Sequence, residues 1–271
     1  MIMSDLQIEF FKYDGAGNDF VILDIRQNDP HLTREQIAHI CHRRFGIGAD
    51  GLMTLQQHHV YDFEMRYYNS DGALGSMCGN GGRCITAFAD SLELGHVDET
   101  TGLRCFSFWA YDGIHHSQML VWDRDSGIGL VQLGMGDVVR DTVEPCLNGW
   151  FLDTGSPHYV QRVADLQHYD VVGEGRRIRN MKRYFPQGTN VDFIEDLADG
   201  RLFVRTYERG VEDETWACGT GVTASAIVSG NKCLVTRGGD FKVSFSVSDR
   251  LYSDIQLIGP VSYNFKGIIS L

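Results

Sequence analysis

The chain contains one chemical motif twice. Met77-Cys78-Gly79-Asn80-Gly81-Gly82-Arg83-Cys84 and Ala217-Cys218-Gly219-Thr220-Gly221-Val222-Thr223-Ala224 share the pattern Cys-Gly-x-Gly. Both run into small and apolar residues, Ile85-Thr86-Ala87-Phe88-Ala89 and Ala224-Ser225-Ala226-Ile227-Val228, that read as a buried helix. Each cysteine therefore sits where a Gly-rich turn enters a helix. Backbone N–H groups and the positive end of the helix dipole converge at such a point, which favours an anion and lowers a thiol pKa. Two such cysteines, 140 positions apart, read as a matched acid and base.

The repetition extends upstream. Arg66-Tyr67-Tyr68-Asn69 begins 12 positions before the first cysteine, and Arg205-Thr206-Tyr207-Glu208-Arg209 begins 13 before the second. Farther back lie Gly17-Asn18-Asp19-Phe20-Val21-Ile22 and Gly188-Thr189-Asn190-Val191-Asp192-Phe193-Ile194. Asn18 to Cys78 is 60 positions, Asn190 to Cys218 only 28, and the excess fits an extra helix at 33–44 in the first half. Two pseudo-equivalent domains are expected, each presenting one cysteine. The polar stretch Asp123-Arg124-Asp125-Ser126-Gly127 sets their boundary, giving 1–125 and 126–259, with 260–271 returning to the first domain after Gly259-Pro260.

A chain of 271 residues can bury a core in each half. Its net charge of −12 argues against a nucleic-acid or anionic-membrane partner. No apolar run approaches the length needed to span a bilayer, and 1–6 show no basic region followed by an apolar run. Seven cysteines, an odd number without paired short spacing, suit reduced thiols in a cytoplasm.

Locally, 7–13 and 19–25 read as a strand–loop–strand opening. Thr33-Arg34-Glu35-Gln36 fits a capping box ahead of a helix. Gly46 to Gly51 matches GxGxxG formally, but it follows a helix and precedes a strand, the reverse of a dinucleotide site. A strand is expected at 61–68, the first cysteine helix to about Leu94, and a helix or two between Val163 and Tyr184.

Taking a proton from an amino-acid α-carbon and returning one on the opposite face needs a base and an acid on opposing sides. Two thiols on opposing domains meet that demand, while helix N-termini hold the α-carboxylate. A lone cysteine is usually a small buried hydrophobe, and Cys41, Cys84, Cys105, Cys146 and Cys233 are read so. Zinc would need closer Cys/His spacing. A Cys/His hydrolase with His158 as base would leave the second cysteine unexplained. None of Lys12, Lys182, Lys232, Lys242 and Lys266 has the setting of a pyridoxal-phosphate lysine, so no cofactor is expected. His158, in the turn Thr154-Gly155-Ser156-Pro157-His158, suits a structural or a site role equally. Arg209 suits a surface ion pair with Glu208 or a carboxylate clamp. Asn18, Asn69 and Asn190 lie beside Gly or in turns, where Asn is common for backbone reasons.

Taken in order, Gly17-Asn18-Asp19-Phe20, Gly46-Ile47-Gly48-Ala49-Asp50-Gly51, Asn69-Ser70-Asp71-Gly72, the first cysteine motif, Gly155-Ser156-Pro157-His158, Gly188-Thr189-Asn190, Glu208-Arg209-Gly210-Val211 and the second cysteine motif resemble the diaminopimelate epimerase family. The resemblance implies an α+β fold of two pseudo-symmetric domains, each a curled mixed β-sheet or barrel around a central helix, with the active site in the cleft between them. It implies cofactor-independent interconversion of LL- and meso-diaminopimelate, in lysine and peptidoglycan precursor synthesis, by a cytoplasmic homodimer. It assigns Cys78 and Cys218 as the acid/base pair, and Asn18, Asn69, Asn190 and Arg209 to the distal end of the substrate. Gly79, Asn80, Gly219 and Thr220 would bind the reacting carboxylate, with His158 and Glu208 flanking the centre. Many members carry Asn where this chain has Ser156, and some Gln where it has Gly51.

Two rivals remain at this level. One is a racemase of the same fold acting on proline, hydroxyproline or histidine, for which the distal set Asn69, Asn190 and Arg209 would have nothing to bind. The other is a non-catalytic amino-acid-binding protein, which would not need two thiols.

Overall fold

The computed structural model describes residues 6–75 and 77–271; the targeting reading of the N-terminus falls largely on 1–5, outside the described residues. The chain divides into two compact units. The first comprises the described residues up to Leu133 together with Pro260–Leu271, the second Gly134–Gly259.

The first unit runs β1 (Gln7–Gly15), β2 (Asn18–Asp24), α1 (Arg34–Cys41), β3 (Gly51–Gln56), β4 (Phe63–Asn69), β5 (Leu74–Gly75), α2 (Gly79–Ser91), β6 (His96–Val97), β7 (Arg104–Ala110), β8 (Gly113–Asp123) and β9 (Ile128–Gly134). The second continues with β10 (Val138–Val139), β11 (Glu144–Cys146), β12 (Gly149–Asp153), β13 (Pro157–Arg162), α3 (Val171–Arg179), β14 (Asn190–Asp196), β15 (Leu202–Glu208), β16 (Asp213–Thr215), α4 (Gly219–Ser229), β17 (Cys233–Thr236), β18 (Gly239–Val247) and β19 (Leu251–Ser270), whose last part belongs to the first unit.

In the first unit β1–β2, β3–β4, β7–β8 and β8–β9 pair antiparallel, while β2–β3 and β4–β7 pair parallel. β19 lies antiparallel to β1 and also pairs with β9, where Tyr263 N–H donates to the Gly127 carbonyl at 2.8 Å. Eight strands thus close into a barrel. Its interior is filled by α2, every residue of which is buried from Gly79 to Ala89. The turn at 123–127 joins β8 to β9 within one hairpin, so the unit boundary falls at Leu133 rather than in that turn.

The second unit repeats the winding. β12–β13, β14–β15, β17–β18 and β18–β19 are antiparallel, and β13–β14 and β15–β17 are parallel. The helix α4 packs against β12, β13, β14, β15, β17 and β18. It is apolar around its circumference, so only a fully enclosed position suits it. Gly230, at φ 75°, ends it in the left-handed conformation that glycine adopts without strain.

This winding corrects one sequence expectation. Each parallel crossover from second to third strand carries a helix: α1 between β2 and β3, α3 between β13 and β14. The helix at 33–44, capped by Thr33 and Gln36 as anticipated, is therefore not an extra element. The topological partner of Asn190, first residue of β14, is Gly51, first residue of β3, and not Asn18. Counted so, the two distances to the cysteines are 27 and 28 positions. Among the described residues no helix is long and apolar enough to cross a membrane.

Candidate active site

In the first unit, Cys78 is the N-cap of α2 and its Sγ accepts the Gly81 N–H at 3.2 Å. Gly79 and Asn80 form the buried first turn beside it. The Asn80 amide binds the side chain of Asn18 at 3.2 Å, and Asn18 in turn donates to Asp50 Oδ2 at 2.7 Å. Asp50 and Asp19 are both held by Arg43, at 2.5 and 2.7 Å, and Lys12 holds Asp19 at 2.6 Å and the Gly48 carbonyl. Burial alone would raise the Asp19 pKa, but the hydrogen bonds and charges of Arg43 and Lys12 hold it at about 2. Asn18 is thus oriented by a lattice of charges beneath it.

Arg83, inside the barrel and fully buried, donates to Asn80 Oδ1 at 2.9 Å, Gly79 O at 3.1 Å and Pro260 O at 3.2 Å. Burial lowers its pKa to about 10, while attraction to the Cys84, Cys78 and Asp14 charges works the other way. The guanidinium thus braces the helix start beside Cys78 from inside the barrel. Asn69 ends β4 opposite Gly51 and is exposed. A side chain at Gly51 would run into the Tyr67 ring, which occupies that volume.

In the second unit, Cys218 caps α4 and is 8 % exposed. Its Sγ lies 3.3 Å from Thr220 Oγ1. Burial pushes the thiol pKa well up, and the charges of Glu208 and Asp192 push it further; the Thr220 hydroxyl and the Gly221 N–H oppose them. The helix-start expectation of a lowered thiol pKa is therefore overridden here, because desolvation of the charged form is the larger effect. Gly219 is buried in the first turn.

His158 lies in strand β13, not in the preceding turn, and is fully buried. Its Nδ1 is 2.7 Å from Asp192 Oδ2 and its Nε2 is 2.9 Å from Thr220 Oγ1. The Thr206 hydroxyl donates to Asp192 Oδ1 at 2.7 Å. The Asn190 amide is fixed on both sides: Oδ1 accepts the Arg209 N–H at 2.8 Å and Nδ2 donates to Pro157 O at 3.1 Å. Glu208 and Arg209 sit at and just beyond the end of β15, half-buried, and Arg209 Nη1 reaches Gln187 O at 3.4 Å.

The site residues read from the sequence thus gather into one group per unit: Asn18, Asn69, Cys78, Gly79 and Asn80 in the first, His158, Asn190, Glu208, Arg209, Cys218, Gly219 and Thr220 in the second. The supporting residues Asp19, Asp50, Arg83, Asp192 and Thr206 were not anticipated. Asp192 carried the clearest signal, a carboxylate within the otherwise apolar run Val191-Asp192-Phe193-Ile194. Of the remaining cysteines, Cys41, Cys84 and Cys146 are buried and Cys105 half-buried, but Cys233 is exposed, so packing does not account for it.

A model of the diaminopimelate epimerase family matches residues 10–103 and 150–254. The chain is 41 % identical to a diaminopimelate epimerase of Flavobacterium psychrophilum, over 97 % of this chain and 100 % of that one. It is 40 % identical to another from Chlorobaculum tepidum, over 95 % and 99 %. Among solved structures, a phenazine biosynthesis protein of the PhzF family from Bacillus anthracis superposes with a TM-score of 0.70 at 15 % identity, covering 98 % of this chain and 100 % of that one, a likeness of fold.

Proposed function

As the chain belongs to the diaminopimelate epimerase family, we propose that it interconverts LL- and meso-2,6-diaminopimelate with Cys78 and Cys218 as the acid/base pair. The observation that carries this reading is the repeated device itself: in two units of the same strand order, a cysteine caps a buried helix after a short hairpin. One thiolate removes the α-proton and the other thiol delivers a proton from the opposite face, which inverts the centre. The negative charge that develops spreads into the α-carboxylate. Backbone N–H groups of Gly79, Asn80, Gly219 and Thr220, at two helix starts, favour it there.

Asn18, Asn69, Asn190 and Arg209 take the distal, non-reacting amino-acid end, where the planar guanidinium of Arg209 suits a carboxylate. His158 and Glu208 flank the reaction centre. The chemistry runs through these side chains without an added cofactor. The reading extends to a cytoplasmic homodimer, supplying precursors of lysine and peptidoglycan.

The test is α-proton exchange by the reduced protein in deuterated buffer, with no cofactor, on LL-diaminopimelate, proline and histidine separately. Deuterium entering diaminopimelate alone, with meso product appearing, is the expected result. Exchange into proline or histidine alone would keep the two-thiol chemistry and replace the substrate. No exchange into any of them would overturn the enzyme.

A further inference from the structure

Four side chains behind Cys218 form one continuous hydrogen-bonded line: Thr206 to Asp192 (2.7 Å), Asp192 to His158 (2.7 Å), His158 to Thr220 (2.9 Å) and Thr220 to Cys218 (3.3 Å). Asp192 and His158 are wholly buried and Thr206 is 3 % exposed, so the line runs through the interior to the thiol. Its polarity is legible from its neighbours. The Asn190 amide is oriented by the Arg209 N–H and the Pro157 carbonyl, which leaves its Nδ2 facing His158 Nε2 at 3.4 Å. A donor there, beside the Thr220 hydroxyl, suits a bare Nε2 lone pair and puts the ring proton on Nδ1, toward the Asp192 carboxylate. Asp192 is itself pressed against the first turn of α4: a Cβ at Gly221 would overlap its Oδ1 and lie 3.2 Å from His158 Cε1. The second glycine of the Cys218 motif is thus what allows this pair to reach the helix start.

We propose that Asp192 is a positioning residue for proton transfer at Cys218, holding His158 as the Nδ1–H tautomer so that Nε2 receives, through the Thr220 hydroxyl, the proton Cys218 must lose before it acts as base. The step balances. The S–H bond breaks and its electron pair stays on Sγ; the proton binds Thr220 Oγ1, whose own proton passes to Nε2. The imidazolium formed lies against the Asp192 carboxylate, and no other reactant is required. When Cys218 acts as acid the line runs back. Glu208, the other carboxylate acting on Cys218, opposes the thiolate. This inference rests on the epimerase reading and adds to it the residue that sets the histidine.

The experiment combines nitrogen NMR of 15N-histidine-labelled protein, with the His158 ring assigned by H158Q, and epimerisation kinetics. Wild type should show His158 protonated at Nδ1. Asp192→Asn, whose amide can donate to Nδ1, should move the proton to Nε2 and lower kcat about 10²-fold with little change in KM. Thr220→Val should keep the wild-type tautomer yet lose kcat, and Thr220→Ser should restore it, a rescue that a purely structural role would not produce. Should Asp192→Asn fail to fold, the Thr220 pair and the wild-type spectrum still decide. A wild type that turns over diaminopimelate with His158 protonated at Nε2, an Asp192→Asn protein with unchanged kcat, or a Thr220→Val protein at full kcat overturns the inference and leaves the function standing. A wild type with no turnover overturns the function on which it rests.

Discussion

Against the Cys78 helix the third residue of β3 is Met53; against the Cys218 helix the third residue of the equivalent strand, β14, is Asp192. Neighbouring positions differ as well. Phe20 pairs with Gly51 where His158 pairs with Asn190, Asn80 stands where Thr220 stands, and Arg83 where Thr223 stands. The first thiol has thioethers and a buried guanidinium around it, the second a buried carboxylate, imidazole and hydroxyls. A common winding places the two cysteines alike, whereas the residues packed behind them differ in charge and hydrogen bonding. Burial and the charges of Glu208 and Asp192 hold Cys218 as a thiol, whereas beside Cys78 a buried guanidinium braces the helix start.

The largest test of this contrast is removal of either thiol. Cys78→Ala and Cys218→Ala should each lower epimerisation about 10³-fold or more while leaving the circular dichroism spectrum unchanged. A variant with near wild-type turnover would break the pairing. Next comes the buried cation. Arg83→Met leaves the Asn80 side-chain oxygen and two carbonyls without their charged donor, and should cost about 3 kcal/mol in denaturant unfolding. The equivalent Thr223→Val removes one hydroxyl bond to Gly219 O and should cost about 1 kcal/mol.

The paired glycines should separate too. Gly221→Ala forces a methyl onto Asp192 and should cost about 2 to 3 kcal/mol with loss of turnover. Gly81→Ala meets Met53 Sδ at 3.2 Å and Cys78 Sγ at 3.3 Å, and a thioether can yield, so about 1 kcal/mol is expected. Equal effects would contradict the contrast.

The smallest effect is on acid stability. Asp19 titrates at about 2 in the folded protein against 3.8 in an ordinary carboxyl. A depressed folded pKa gives stability that is complete above the ordinary value and is lost as pH falls from about 4 to about 2, worth about 2 kcal/mol. Lys12→Met should shrink that loss in an acid titration of unfolding, since it removes one of the two cations holding Asp19.

Much of this was legible in the sequence. Cys-Gly-x-Gly marks a helix start by the conformational and steric demands of glycine, and duplication at the same depth in each half exposed the pseudo-symmetry. The alignment of Asn18 with Asn190 failed because an Asn shortly after a glycine opens an apolar strand in both places, but the strands are successive ones of the winding, and only hydrogen-bond pairing tells them apart. Arg66 and Arg205 occupy the same position in β4 and β15, yet Arg66 is exposed beside Glu64 while Arg205 is buried on Glu214. Sequence spacing reports position, not surroundings. Asp192 and Arg83 went unassigned for the same reason, since their roles come from burial against partners distant in the chain.

The central claim is that two thiols serve opposite faces of one carbon. The direct measurement is early-time turnover of LL-diaminopimelate in deuterium oxide, with the isotope content of product and recovered substrate read separately. Two-thiol chemistry predicts deuterium at the inverted α-carbon of the meso product while recovered substrate stays protiated. Deuterium entering recovered substrate as fast as product would mean that one freely exchanging base serves both faces, and would contradict the account.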